Sequence, residues 1–184
     1  VTDIQQFIPP ARSSGRGFHA YSARHLDMLT ARAGLAPDER LAVRAVATVL
    51  PFRVNSYVIE NLIDWQAAPD DPIYRLVFPQ PDMLPAADVQ RLADLISGGE
   101  PEAAVRAAAH EIRMRLNPHP AGQLLLNAPS LHGRPLPGLQ HKYPETVLFF
   151  PRQGQTCHAY CTYCFRWAQF VDEPDLKMAT DDIG

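Results

Sequence analysis

The chain has 184 residues, with 17 Lys+Arg against 20 Asp+Glu and a net charge of −3, which argues against the basic stripe of a nucleic-acid surface. Hydrophobic residues make up 46% of it, a share suited to a globular core, and no apolar run approaches the about 20 residues of a membrane-spanning helix. Neither a nucleic-acid nor a membrane partner is expected.

Residues 1–17 read as irregular, since Pro9-Pro10 and Ser13-Ser14-Gly15-Arg16-Gly17 have linker composition. Ser22 to Ala33 reads as a helix with Ser22 as N-cap, Leu26 and Leu29 on one face, and Gly34 as the stop. Pro37-Asp38-Glu39 opens a second helix, its acids placed at the positive end of the dipole. Leu41, Ala45 and Val49 form its core-facing stripe, and Pro51 ends it. From Tyr57 to Trp65, Val58, Leu62 and Trp65 recur at i, i+4, i+7 and predict a third helix, with a strand as the alternative.

Pro85 starts a further helix with Val89, Leu92 and Ile96 inward, stopped at Gly98-Gly99. Pro101 begins the next, with Val105, Ala108 or Ala109, Ile112 and Leu116 inward. Proline at the start and glycine past the end is the expected asymmetry. Residues 1–116 are therefore expected to be mainly helical. Residues 117–145 hold six prolines (118, 120, 129, 135, 137, 144) and read as an irregular connection. Val147 to Phe150 lacks polar alternation and predicts a strand buried on both faces, as in a parallel sheet. Residues 146–184 are expected to begin an α/β unit.

All three cysteines fall in Cys157-His158-Ala159-Tyr160-Cys161-Thr162-Tyr163-Cys164, spaced C-x3-C-x2-C. An odd count and the absence of a signal-peptide pattern argue against a disulfide framework. Three thiolates on one loop can hold three irons of a four-iron cluster and leave the fourth iron open for chemistry. A zinc site of the three cysteines plus His158 is the rival. However, His158 abuts Cys157, so the two side chains would rarely converge on one ion, and no second cysteine pair exists. The residues favour a cluster and leave zinc open, with redox-reactive or inert thiols as the remaining reading. The other histidines (19, 25, 110, 119, 132, 141) show no metal-ligand spacing. Iron-binding thiols need a reducing compartment, so the cytosol is expected.

The cysteine loop, with an aromatic just before its last Cys, resembles the radical S-adenosylmethionine (SAM) enzymes. Gln140-His141-Lys142-Tyr143-Pro144-Glu145-Thr146-Val147-Leu148-Phe149-Phe150 ahead of it and Phe165-Arg166 after it resemble the lysine 2,3-aminomutase branch. The likeness continues more loosely upstream, through Leu50-Pro51-Phe52-Arg53-Val54 and Asp71-Pro72-Ile73. It implies an α/β fold: a helical N-terminal region followed by the first strand and cluster loop of a radical SAM, TIM-type barrel. Such a barrel takes about 200 to 250 residues, and 20 residues follow Cys164, so the barrel is expected to be incomplete in this chain and the chain alone inactive.

The resemblance further implies a [4Fe-4S] cluster on Cys157, Cys161 and Cys164, with SAM at the open iron giving a 5′-deoxyadenosyl radical for 1,2-amino migration on an amino acid. Tyr163 would lie beside the SAM adenine, Arg166 would hold the substrate carboxylate, and Lys142 and Tyr143 would contact pyridoxal 5′-phosphate (PLP). Thr146 and Trp167 depart from the family pattern, where basic residues stand. The expected partners are a small amino-acid substrate, a reductant such as flavodoxin or ferredoxin, and a second copy or a C-terminal partner chain. A truncated or split, non-catalytic iron–sulfur or zinc-binding remnant is the alternative. Ser97-Gly98-Gly99-Glu100 mimics the family's SAM-contacting Gly-Gly-Glu element but precedes the cysteines, so it reads as a helix cap.

Overall fold

The computed structural model describes residues 19–116, 126–152, 157, 159–161, 171, 173 and 179–180, with Lys142 described by its backbone alone. Strand β1 (Ala20–Ser22) pairs antiparallel with β2 (Arg53–Asn55), Tyr21 lying opposite Val54. Ser22, the last residue of β1, is also the N-cap of the helical turn that follows, the place expected for it. A 3-10 turn (Ala23–His25) follows, and α1 spans Leu26–Arg32. The capping acceptor is the ring of His25, whose Nδ1 takes the Ser22 N–H at 3.1 Å. Gly34, at φ +80, ends the helix as expected.

Helix α2 (Pro37–Val49) is the centre of the helical region. Glu39 reaches back to accept the Ala36 N–H at 2.7 Å, the half of a capping box that an acid at the third helical position supplies. Val43 and Ala47 pack into one cluster with Leu26, Leu29, Phe52, Tyr74 and Phe78. Ala45, Val46 and Val49 pack into another with Leu92, Ala108, Ala109 and Ile112. Burying each large side chain contributes about 1.5–3 kcal/mol, and α2 collects that gain on two sides.

After β2 the chain makes a π-type turn (Val58–Leu62), with the Ile63 N–H bonded to the Val58 carbonyl at 3.3 Å. This wider turn rotates the predicted inner face: Leu62 is 45% exposed, while Ile59 and Ile63 are buried. Trp65 donates its indole N–H to the Ile59 carbonyl at 2.8 Å, and the Arg32 guanidinium lies 4.1 Å from its ring centre. Helix α3 (Pro72–Val77) is capped by Asp71, whose carboxylate accepts the Tyr74 N–H at 2.7 Å.

Helices α4 (Ala86–Ser97) and α5 (Glu102–Leu116) follow with the predicted inner faces. Gly99 sits at φ +70, the Gly99 N–H reaches the Ile96 carbonyl at 3.3 Å, and the Glu100 N–H reaches that of Leu95 at 3.1 Å. These paired bonds form a Schellman cap, so Ser97-Gly98-Gly99-Glu100 closes a helix, as its position suggested.

The stretch expected to be irregular contains short antiparallel pairs. Strand β3 (Ser130–Leu131) pairs with β4 (Arg134–Pro135), and β5 (Leu139–Tyr143) pairs with β6 (Thr146–Phe149). The strand expected from Val147 onward is present, but its neighbour is an antiparallel hairpin arm joined by Pro144-Glu145. Val147 and Phe149 remain 51% and 48% exposed, so two-sided burial is not found in this chain.

Parallel pairing begins just beyond β6. Pro151 bridges Thr180 in the parallel sense; the Thr180 N–H reaches the Phe150 carbonyl at 3.0 Å and the Arg152 N–H reaches the Thr180 carbonyl at 2.8 Å. The 28 intervening residues (180 − 151 − 1) suffice for the crossover a parallel pair requires. On the other side, the Phe150 N–H bonds the Gly138 carbonyl at 2.8 Å.

Candidate functional site: the cysteine loop

Once the chain passes the parallel bridge at Pro151 it enters the cysteine stretch. Cys157 and Cys161 are free thiols; Cys157 is half-buried and Cys161 is exposed. The Cys157 thiol lies 3.7 Å from the Ala159 carbonyl oxygen, within the reach of a weak S–H donor. The expected ligand Cys164, and Tyr163 and Arg166 with it, lie outside the described residues. Among the described residues no group of three or more His, Cys, Asp or Glu is gathered. The donor chemistry fits a cluster: two soft sulfur ligands on one loop, neither engaged in a disulfide.

Tyr160, between these cysteines, fastens the loop to the helical region. Its N–H donates to the Leu76 carbonyl at 2.8 Å, and its hydroxyl lies 3.1 Å from both the Leu50 and the Pro51 carbonyl oxygens. Burial pushes the Tyr160 phenol well above its ordinary pKa, and the neighbouring Cys157 adds to the rise. The hydroxyl therefore stays protonated and donates.

A second attachment follows the cysteines. Glu173, buried, accepts from Arg113 Nη1 at 2.6 Å and meets His110 Nδ1 at 3.0 Å. Arg113 also donates Nε to the Val49 carbonyl at 2.8 Å and Nη2 to that of Thr48. Burial alone would raise the Glu173 carboxyl pKa; the hydrogen bonds and charges of Arg113 and His110 outweigh it and hold the value below the ordinary one. Val171 is buried against Leu50 and Met114.

Sequence reasoning missed Tyr160, Arg113 and Glu173 as residues of this site. An aromatic enclosed by two candidate metal ligands was the available signal for Tyr160. For Arg113 and Glu173, 60 residues apart, no local pattern pointed to the pairing. The residues expected at PLP lie on the hairpin: Tyr143 is 60% exposed at the end of β5, opposite Thr146, and Lys142 is the strand residue before it.

No known family's sequence profile matches the chain, and no solved structure matches it. A protein of Aquifex aeolicus (strain VF5), whose name reads "Putative L-lysine 2,3-aminomutase", is 27% identical over 144 residues. The matched region covers 78% of this chain and 28% of that protein, so the chain spans little more than a quarter of the relative's length. No helix among the described residues is long and apolar enough to cross a membrane.

Proposed function

We propose that this chain is the part of a radical SAM enzyme of the lysine 2,3-aminomutase type that carries the cluster loop. The observation that carries the reading is the C-x3-C-x2-C loop beyond β6, with two described thiols free of disulfides. The 27% identity to a protein named as an aminomutase supports it. The parallel bridge between Pro151 and Thr180 is in keeping with a strand–crossover–strand unit, whose ligand loop would then follow its first strand.

In this reading Cys157, Cys161 and Cys164 hold three irons of a [4Fe-4S] cluster, Tyr163 flanks the adenine of SAM, and Arg166 pairs with the carboxylate of an amino-acid substrate in bidentate fashion. Lys142 and Tyr143 face PLP. The bound groups supply a hydrogen-abstracting radical and a conjugated system for 1,2-amino migration; the protein positions them and excludes water. The electron comes from a flavodoxin- or ferredoxin-like reductant, in the cytosol, and the barrel is completed by further chain or by a partner.

Anaerobic reconstitution with iron and sulfide tests this directly. The expected result is broad charge-transfer absorption and, on reduction, the spin signal of a four-iron cluster, both lost in Cys161→Ala. A colourless protein after reconstitution would contradict the proposal.

A further inference from the structure

Helix α2 ends in an unusual amount of business. Beyond its last turn Pro51 prevents continuation, so the carbonyls of Thr48, Val49 and Leu50 lack the amide partners a longer helix would provide. These carbonyls also carry the negative end of the helix dipole. Side chains reach these three and the Pro51 carbonyl just past the helix, the single Tyr160 hydroxyl hydrogen being shared between the last two. Arg113 takes Thr48 and Val49, and the Tyr160 hydroxyl lies between Leu50 and Pro51. The helix end is thus capped from two directions, both connected to the cysteine stretch.

The first connection is direct. Tyr160 precedes Cys161 and follows Cys157 by three positions, and it is held at both its ends: amide to Leu76, hydroxyl to Leu50 and Pro51. The second runs through Arg113, whose remaining nitrogen binds Glu173 at 2.6 Å while Val171 is buried against Leu50. In sequence, Tyr160 lies four residues before Cys164 (164 − 160) and Glu173 nine after it (173 − 164). Tyr160 and Glu173 are thus both tied to the end of α2, the first directly and the second through Arg113.

We infer that Tyr160 is a positioning residue: its hydroxyl fastens the segment between Cys157 and Cys161 to the C-terminal end of α2, with Arg113–Glu173 as the second anchor, and so pre-orders these two thiols for metal. The last clause rests on the reading of the cysteines as cluster ligands; the fastening itself does not. The physical reason is that ordering a loop costs conformational entropy whenever a ligand is bound. A segment already held through both the amide and the hydroxyl of Tyr160 has less left to order. The helical region is then more than a neighbour of the cluster loop. Its central helix, buried between two core clusters, provides the rigid surface from which the loop is measured.

Tyr160→Phe is the informative variant, because it keeps the ring and removes only the hydroxyl. Two readouts separate the fastening from the cluster reading. In the metal-free, reduced full chain, iodoacetamide alkylation of each cysteine is followed by mass spectrometry. Cys157 is half-buried and should react about fivefold faster in the variant, the factor that one hydrogen bond's net contribution implies. Cys161, already exposed, is the internal reference and should change less than about twofold, with the thermal midpoint close to that of the parent chain. In the iron- and sulfide-loaded chain, cluster loss to a chelator should accelerate by a similar factor. A merely structural role would lower the thermal midpoint and leave both ratios where they were.

Glu173→Gln gives the second arm and remains usable if Tyr160→Phe fails to fold. By freeing Arg113 at the carbonyls beside those that Tyr160 meets, it should raise Cys157 alkylation relative to Cys161, by a smaller factor than Tyr160→Phe does. Parent-like alkylation ratios in either folded variant would overturn the fastening. A parent chain that takes up no cluster, while Tyr160→Phe still exposes Cys157, would defeat the cluster reading and leave the fastening standing. Accelerated alkylation with unchanged cluster loss would overturn the pre-ordering.

Discussion

At Glu173 a carboxylate with little access to solvent is kept ionised by two basic neighbours, and the balance has a measurable pH dependence. Its pKa in the folded chain lies below the ordinary value. A carboxylate so depressed stabilises the fold above its unfolded pKa, about 4.3, and loses that contribution as pH falls through the folded value. Glu173→Gln should therefore cost about 2 kcal/mol at neutral pH, the scale of hydrogen bonds to a charged group. The difference should shrink toward zero in acid. Urea unfolding of both chains at pH 7 and near pH 3 checks this; a pH-independent difference would contradict it. Tyr74 presents the opposite case. Burial raises its phenol pKa to about 12, and its hydroxyl, buried beside the stacked Phe78 ring, finds no hydrogen-bond partner among the described residues. Removing an unsatisfied hydroxyl is neutral or favourable, so Tyr74→Phe should hold or raise stability by up to about 1 kcal/mol. A loss of about 2 kcal/mol by urea unfolding would mean the hydroxyl is satisfied.

Among the elements, the best-read ones were those punctuated locally. Helices α2, α4 and α5 announce themselves by an apolar stripe, a proline at the entry and, for α4, a glycine pair at the exit, whose Schellman cap is present. Elements decided by non-local pairing were not legible. The pairing of Ala20–Ser22 with β2, about thirty residues on, had no local signal, and the π-type turn shifted the inner face from Leu62 to Ile59 and Ile63. Beyond Asn117, prolines suggested irregular chain, yet five of the residues between Gly138 and Pro144 form a hairpin arm. Gly138 explains why that hairpin can meet the parallel bridge. It lies at φ +75, and a methyl group there would come within 2.6 Å of the Thr180 amide nitrogen. Gly138→Ala should cost about 2 kcal/mol or more through left-handed strain and the clash. Amide exchange should show Phe150 and Thr180 losing protection while α2 keeps its own. Unchanged protection at these two amides would refute the packing role.

For the molecule as a whole, the described residues of the cysteine stretch meet the helical region around the end of α2, with further contacts to Leu76 of α3 and to His110, Arg113 and Met114 of α5. Tyr160 is 110 residues from Leu50 in sequence, which is why the spacing of the cysteines was legible and the surface that holds them was not. Val147 and Phe149 leave half-exposed apolar surface on β6. The proposed function depends on whether the three cysteines take an iron–sulfur cluster, since soft thiolates also suit zinc. The direct measurement is the iron, zinc and acid-labile sulfide content of the chain purified without oxygen. A radical SAM cluster predicts about four irons and four sulfides per chain; one zinc per chain with no sulfide would contradict it.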